Sequence, residues 1–243
     1  MATSKRELTF LLADPERRLL RAIAPRVPPR WRPNHFTALG VLAATGVGAA
    51  YALARFGSGW LWVASALLVV QWLGDSLDGT LARVRGAERP RYGYYLDHMT
   101  DAYSTVVIGV GIALSRFVHP GLALGLVVSY LALSINVYLE SQVFGRFRLA
   151  HGRIGPTEAR IILIGLNAAL ALRREVPPGV WPEVTPVANA VVIVVLAALC
   201  GVLVAANFYF RFKQNEQALT VIVRRLALLS PMQPLEDESC RKF

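Results

Sequence analysis

Six long apolar stretches alternate with short polar segments along the chain. Several of them reach the roughly 20 largely apolar residues that an α-helix needs to cross about 30 Å of hydrocarbon. The pattern therefore predicts an all-α integral membrane protein with six transmembrane helices. Their approximate bounds are residues 36–55, 59–81, 96–117, 121–138, 157–172 and 187–210.

The segments that flank the predicted spans are amphipathic or polar. Residues 7–23 repeat leucine at roughly helical spacing opposite Arg17, Arg18 and Arg21, which predicts a helix on the membrane surface, bent at Pro15. Residues 217–229 form a second candidate interfacial segment, and 230–243 read as a polar tail. We therefore divide the chain into an N-terminal segment with an interfacial helix (1–33), a six-helix membrane domain (34–213) and a C-terminal segment (214–243).

The chain is basic, with a formal net charge of +10, while 54% of its residues are hydrophobic. Lys and Arg are concentrated before the first span, after the second, after the fourth and after the sixth. This alternation is typical of cytoplasmic loops and of contact with anionic lipid heads, so nucleic acid is not an expected partner. The distribution predicts cytoplasmic termini, with the second and third spans meeting at the cytoplasmic face of a bacterial-type cell membrane. The proline-rich loop 174–186 is then an outer connector.

Four carboxylates lie where the second span ends and the third begins. Asp75 and Asp78, with Gly79 and Ala82, occupy positions i, i+3, i+4 and i+7, which form one stripe of a helix. Ionised carboxylates near hydrocarbon are costly unless they are paired or bound to metal.

The third span opens with a matching stripe, because Gly93, Asp97 and Asp101 follow at i, i+4 and i+8. Arginines could balance the four acids in a structural network, or divalent cations could do so. The small residues leave room beside the acids, which favours metal and nucleotide, and all-oxygen ligation suits Mg²⁺ or Mn²⁺. Two such ions are a recurrent device for displacement at phosphorus. A membrane transporter with an intramembrane acidic site is the non-enzyme alternative, but it predicts mid-membrane acids and inverted repeats.

Eight fixed residues resemble the signature of the CDP-alcohol phosphotransferase family. Members of this family have an N-terminal interfacial helix followed by six transmembrane helices. Their motif is divided between the second and third transmembrane helices, on the cytoplasmic side. The resemblance implies a homodimeric enzyme of phospholipid biosynthesis that transfers a substituted phosphate from a CDP-alcohol to an acceptor alcohol and releases CMP. In this chain the motif is Asp75-x2-Asp78-Gly79-x2-Ala82-Arg83-x9-Gly93-x3-Asp97-x3-Asp101.

The resemblance also implies residue roles. Two Mg²⁺ or Mn²⁺ ions per site would be held by Asp75, Asp78 and Asp97, and Asp101 would be the general base with a metal contact. The nucleotide would lie against both halves of the motif, and Arg83 would contact phosphate or mark the cytoplasmic boundary. The implied nucleotide-binding residues are Asp75, Asp78, Gly79, Ala82, Arg83 and Gly93.

Two substrate classes stay open. His98 and the Thr157-Glu158 pair are similar to features of choline and ethanolamine phosphotransferases, which use a CDP-aminoalcohol and diacylglycerol. The compact chain instead favours CDP-diacylglycerol as donor, with a polar acceptor such as inositol phosphate, glycerol phosphate or serine. Candidate acceptor contacts are Arg146, Arg148, Arg153, Glu158 and Arg160, and the three arginines of the loop also fit simple positive-inside anchoring.

Overall fold

A computed structural model describes residues 11–115, 117–144, 155–172 and 186–229, and within these ranges the regular structure is helical throughout. The predicted all-α fold is confirmed. A short 3-10 helix, Ala24–Arg26, follows the first helix. The α-helices are α1 (Ala13–Ile23), α2 (Pro33–Leu53), α3 (Trp60–Val84), α4 (Pro90–Leu114), α5 (Pro120–Phe144), α6 (Pro156–Ala171) and α7 (Pro186–Leu229).

Proline marks where most of these helices begin. The first helical position needs no backbone N–H donor, and the proline ring already holds the φ angle that a helix requires. The six predicted spans correspond to α2–α7. The helices begin within a few residues of the predicted starts, except that α4 begins six residues before its predicted span. The prolines are Pro33, Pro90, Pro120, Pro156 and Pro186.

Four segments in the described part of the chain are long and apolar enough to cross a membrane: Pro33–Leu53, Trp60–Val84, Pro120–Leu139 and Asn189–Tyr209. Helix α4 has 25 residues, but its first half is polar and carries Asp97 and Asp101. Helix α6 has only 16 residues. An integral membrane fold is thus established, whereas the count of six spans stays a prediction.

Helix α2 packs against both α3 and α4, while α5 lies on α4 and α6 lies on α3. Glycines allow these close approaches. A Cβ atom on Gly74 of α3 would lie 2.6 Å from the backbone nitrogen of Gly40 in α2, and one on Gly48 of α2 would lie 2.5 Å from the carbonyl oxygen of Val107 in α4. Small residues at such contacts are typical of membrane helix packing. The backbone of α2 is thereby held directly against the two helices that carry the acids.

Helix α1 and the 3-10 helix pack on α3 near the Asp75 end of that helix. The contact is a cluster of buried apolar residues: Leu20, Ala24, Phe36, Leu77 and Leu81. Leu11 and Leu19 remain exposed, as expected for a helix that also faces lipid. Pro15 lies in the first turn of α1, where no N–H donor is required, so the helix needs no bend there.

The chain divides into two units, one up to Val202 and the other from Leu203 onward. Helix α7 is continuous from Pro186 to Leu229, so the candidate interfacial segment 217–229 belongs to this long helix. Residues 174–185 of the predicted outer loop and the tail 230–243 lie outside the described residues.

Candidate active site

Asp75 of α3 forms an ion pair with Arg160 of α6. The Arg160 Nη2 donor lies 2.7 Å from Asp75 Oδ2, and the side chains retain 15% and 22% exposure respectively. Arg160 Nε also donates to Oε1 of the buried Gln71, one turn before Asp75, at 2.7 Å. A guanidinium that donates to two side chains of one helix is held in a fixed orientation. The ion pair therefore joins the beginning of α6 to the acidic stripe of α3.

Asp78 is held by donors from α2 and from its own helix. Its Oδ2 accepts a hydrogen bond from the Thr37 hydroxyl at 2.6 Å, and its Oδ1 accepts from the backbone N–H of Gly79. Thr37 lies in α2, one turn before Gly40, so the glycine contact between α2 and α3 brings this hydroxyl to the carboxylate. Helix α2 thus contributes a polar side chain to the site as well as its backbone.

The second half of the acidic group lies in α4. The Asp97 carboxylate is close enough to Asp75 and Asp78 for electrostatic repulsion between them. Asp101, one turn further along α4, interacts electrostatically with the phenols of Tyr130 and Tyr138 in α5. The two acidic stripes predicted from the sequence are therefore brought to the same region of the fold.

His98 packs between aromatic rings. Its ring centroid lies 4.1 Å from that of Tyr94 and 4.3 Å from that of Tyr138. Its Nδ1 is 3.6 Å from Asp97 Oδ2, which is too long for a direct hydrogen bond. His98 thus packs between α4 and α5 beside Asp97.

Space remains beside the acids on both α3 and α4. A Cβ atom on Gly93 would meet nothing within 4 Å, and one on Gly79 would meet only the guanidinium of Arg83, at 3.6 Å. A cavity of about 10 Å³, room for a single water-sized group, also lies between α2, α3 and α4. Its lining residues are Thr37, Gly40, Val41, Gln71, Asp75, Asp78, Thr100 and Ser104.

The donor set fits a hard divalent cation in its chemistry, since the four acids offer only carboxylate oxygens. In the described ranges, however, no three His, Cys, Asp or Glu side chains converge closely enough to hold an ion. Asp75 faces Arg160 and Asp78 faces Thr37 instead. Metal coordination at this site would therefore require these two carboxylates to share or exchange their present partners.

The candidate acceptor contacts are distributed unevenly. Arg160 lies within the acidic site, as described above. Glu158 turns away from it, because its Oε1 accepts from the backbone N–H of Leu12 at 2.8 Å and its Oε2 from that of Gly155 at 2.9 Å. Arg83 donates to the Thr80 hydroxyl at 3.1 Å and is exposed at the end of α3. Arg146, Arg148 and Arg153 lie outside the described residues.

Several side chains at the site were not singled out from the sequence. Thr37 and Gln71 are polar positions within predicted spans, and that polarity was the available signal. Tyr130 and Tyr138 are eight residues apart on α5, which is close to two helical turns and therefore places them on one face. Glu16, described below, lies in the amphipathic N-terminal helix, where a charged residue is common and therefore gives no specific signal.

The sequence profile of the CDP-alcohol phosphatidyltransferase family matches residues 30–212. A curated relative, the phosphatidylinositol phosphate synthase of Cutibacterium acnes (strain DSM 16379 / KPA171202), is 33% identical over 105 residues, which cover 38% of this chain and 50% of that protein. The chain thus spans about half the length of this relative. The family match covers most of the chain and includes all four acids of the site, so the resemblance is confirmed and the chain belongs to the CDP-alcohol phosphatidyltransferase family.

Proposed function

We propose that this protein is a metal-dependent phosphotransferase that moves a phosphatidyl group from CDP-diacylglycerol to a polar alcohol and releases CMP. The observation that carries the proposal is the ion pair between Asp75 of α3 and Arg160 of α6, with Asp78 one turn further along α3 and Asp97 of α4 near enough to repel both acids. Such a site combines negative ligands for cations with a positive donor for a phosphate, as a diphosphate substrate requires. The matched range 30–212 supports treating residues 34–213 as the catalytic domain.

Asp101 is the general base in this proposal. It removes a proton from the acceptor hydroxyl, whose oxygen then forms a bond to the phosphorus that carries diacylglycerol, while the phosphoanhydride bond to CMP breaks. When bound by Asp75, Asp78, Asp97 and Asp101, two Mg²⁺ or Mn²⁺ ions supply the positive charge that neutralises the diphosphate oxygens and stabilises the leaving CMP. The open space at Gly79 and Gly93 is where the nucleotide can approach the helices without meeting a side chain.

The relative's name makes inositol phosphate the first acceptor to test. A phosphorylated acceptor suits a site that contains Arg160, because guanidinium groups bind phosphate through paired hydrogen bonds. The alternative, a CDP-aminoalcohol donor with diacylglycerol as acceptor, rested partly on His98. His98 packs between Tyr94 and Tyr138, and this position does not by itself favour the alternative.

The experiment is CMP release by purified protein in detergent with Mg²⁺ or Mn²⁺. CDP-diacylglycerol is offered with inositol phosphate, glycerol phosphate or serine, and CDP-choline or CDP-ethanolamine is offered separately with diacylglycerol. We expect turnover with the first donor, and turnover only with the second would replace our choice by the alternative. The variants Asp75→Asn and Asp78→Asn should abolish metal-dependent turnover, and full activity in either would refute the metal assignment. A predicted homodimer can be checked on the same sample by its mass in detergent.

A further inference from the structure

Glu16 of α1 accepts hydrogen bonds from two other helices. Its Oε1 accepts from the Trp72 indole N–H and from the Ser76 hydroxyl, both at 2.8 Å, and both donors lie in α3. Its Oε2 accepts from the Thr157 hydroxyl of α6, also at 2.8 Å. A carboxylate forms stronger hydrogen bonds than a neutral acceptor, so one side chain ties three helices together.

The contact is reciprocal. While Glu16 of α1 reaches α6, Glu158 of α6 accepts from the Leu12 backbone N–H at the start of α1 at 2.8 Å. The first N–H groups of a helix have no partner within the helix, so an acid from a neighbouring helix supplies one. Two carboxylates on different helices thus fix where α1 lies against α6. We call Glu16, Glu158 and their donors the α1 clamp.

The donors of the α1 clamp are close in sequence to the groups of the acidic site. Ser76 directly follows Asp75, and Thr157 lies one helical turn before Arg160. The ion pair between Asp75 and Arg160 therefore joins the same two helices, within one turn of where Glu16 joins them. We therefore expect a change at Glu16 to alter the relative position of these two side chains.

We propose that Glu16 is a positioning residue, which sets the alignment of α3 and α6 and thereby of Asp75 and Arg160 for the transfer reaction. The inference rests on the proposed function for its catalytic consequence, but the α1 clamp itself is a contact that can be tested without turnover. It assigns α1 a part in the active site in addition to its predicted place at the membrane surface.

The test compares Glu16→Ala with two further variants. Glu16→Gln keeps an acceptor oxygen for Trp72 and Ser76, and its amide can donate to Thr157, since a hydroxyl also accepts. Asp14→Ala removes the same charge from the same turn of α1, but Asp14 is exposed and pairs with Arg17 on its own helix. It is the matched control.

We expect Glu16→Ala to lower kcat per folded, monodisperse protein by on the order of 10- to 100-fold, because a misplacement of about 1 Å has an effect of that size. The donor KM should change far less, because the nucleotide contacts are kept. Glu16→Gln should stay within about threefold of wild type, because it preserves the geometry. Asp14→Ala should behave as wild type.

Trypsin cleavage at Arg18 and Arg21 provides a readout that needs no activity. Loss of the α1 clamp should raise the cleavage rate in α1 by roughly tenfold in Glu16→Ala, but not in Glu16→Gln or Asp14→Ala, because cleavage follows local opening. If Glu16→Ala matched wild type in kcat, or if Glu16→Gln lost as much activity as Glu16→Ala, the positioning role would be overturned. If wild type released no CMP from any donor, the proposed function would fail, and unchanged cleavage in Glu16→Ala would separately refute the α1 clamp.

Discussion

Two arginine–aspartate pairs with the same distance should differ widely in their contribution to stability. Arg160 Nη2 and Arg17 Nη2 each lie 2.7 Å from an aspartate Oδ atom. The side chains of Arg160 and Asp75 are 15% and 22% exposed, whereas those of Arg17 and Asp14 are 47% and 76% exposed. Exposed pairs contribute about 0–1 kcal/mol. Breaking a buried pair costs about 3–5 kcal/mol, because it leaves an uncompensated charge.

We therefore expect Arg160→Ala to lower the free energy of unfolding by about 3 kcal/mol, the lower end of the range for buried pairs, since some exposure remains. The residual charge of Asp75 would then lie near Asp78 and Asp97 without its counter-charge. At about 2–4 °C per kcal/mol for a chain of this size, the Tm should fall by about 6–12 °C. Arg17→Ala should lower it by no more than about 4 °C.

The assay is thermal unfolding in one detergent, with and without saturating Mn²⁺. A double-mutant cycle of Asp75→Asn and Arg160→Ala isolates the pair, since Asp75→Asn removes the charge that Arg160 balances. The metal-induced rise in Tm should be larger in Arg160→Ala than in wild type, because the cation no longer competes with a guanidinium for Asp75. Equal Tm losses in Arg160→Ala and Arg17→Ala, or additive effects in the cycle, would refute the reasoning.

Three further substitutions test the site and its support. Asp101→Asn should retain much of the CDP binding while kcat falls by about 10²–10⁴-fold, measured by nucleotide binding and CMP release, and full activity would refute the base assignment. Gly93→Leu should raise the donor KM by at least about tenfold, because the leucine side chain would fill the open space in which the nucleotide is proposed to bind. Gly57→Leu, which also places a leucine in open space, is the control. Gly74→Ala should destabilise the protein by about 1–3 kcal/mol, because the added methyl group would collide with the backbone of α2. Gly165→Ala on α6 is the control, because its added methyl group would meet no neighbouring atom. Equal thermal stability of these two variants would contradict the close packing.

The sequence predicted the helices and the acidic stripes well, for physical reasons that are local. Hydropathy locates a span, and spacings of three and four place Asp75 with Asp78 and Asp97 with Asp101 on common faces. The early start of α4 was missed because its first turns are too polar to read as a span, although they are helical. Partners distant in sequence left no periodic signal: 85 residues separate Arg160 from Asp75.

Helix α2 bears none of the four acids, yet its backbone is in contact with α3 at Gly40 and with α4 at Gly48. The distance between the acids of α3 and those of α4 is therefore set through a third helix. A larger side chain at either glycine of α2 would widen the gap between the two pairs of carboxylates without replacing any of them. The packing surface of α2 is consequently a site at which the spacing of the proposed metal ligands can change without any change in those four residues.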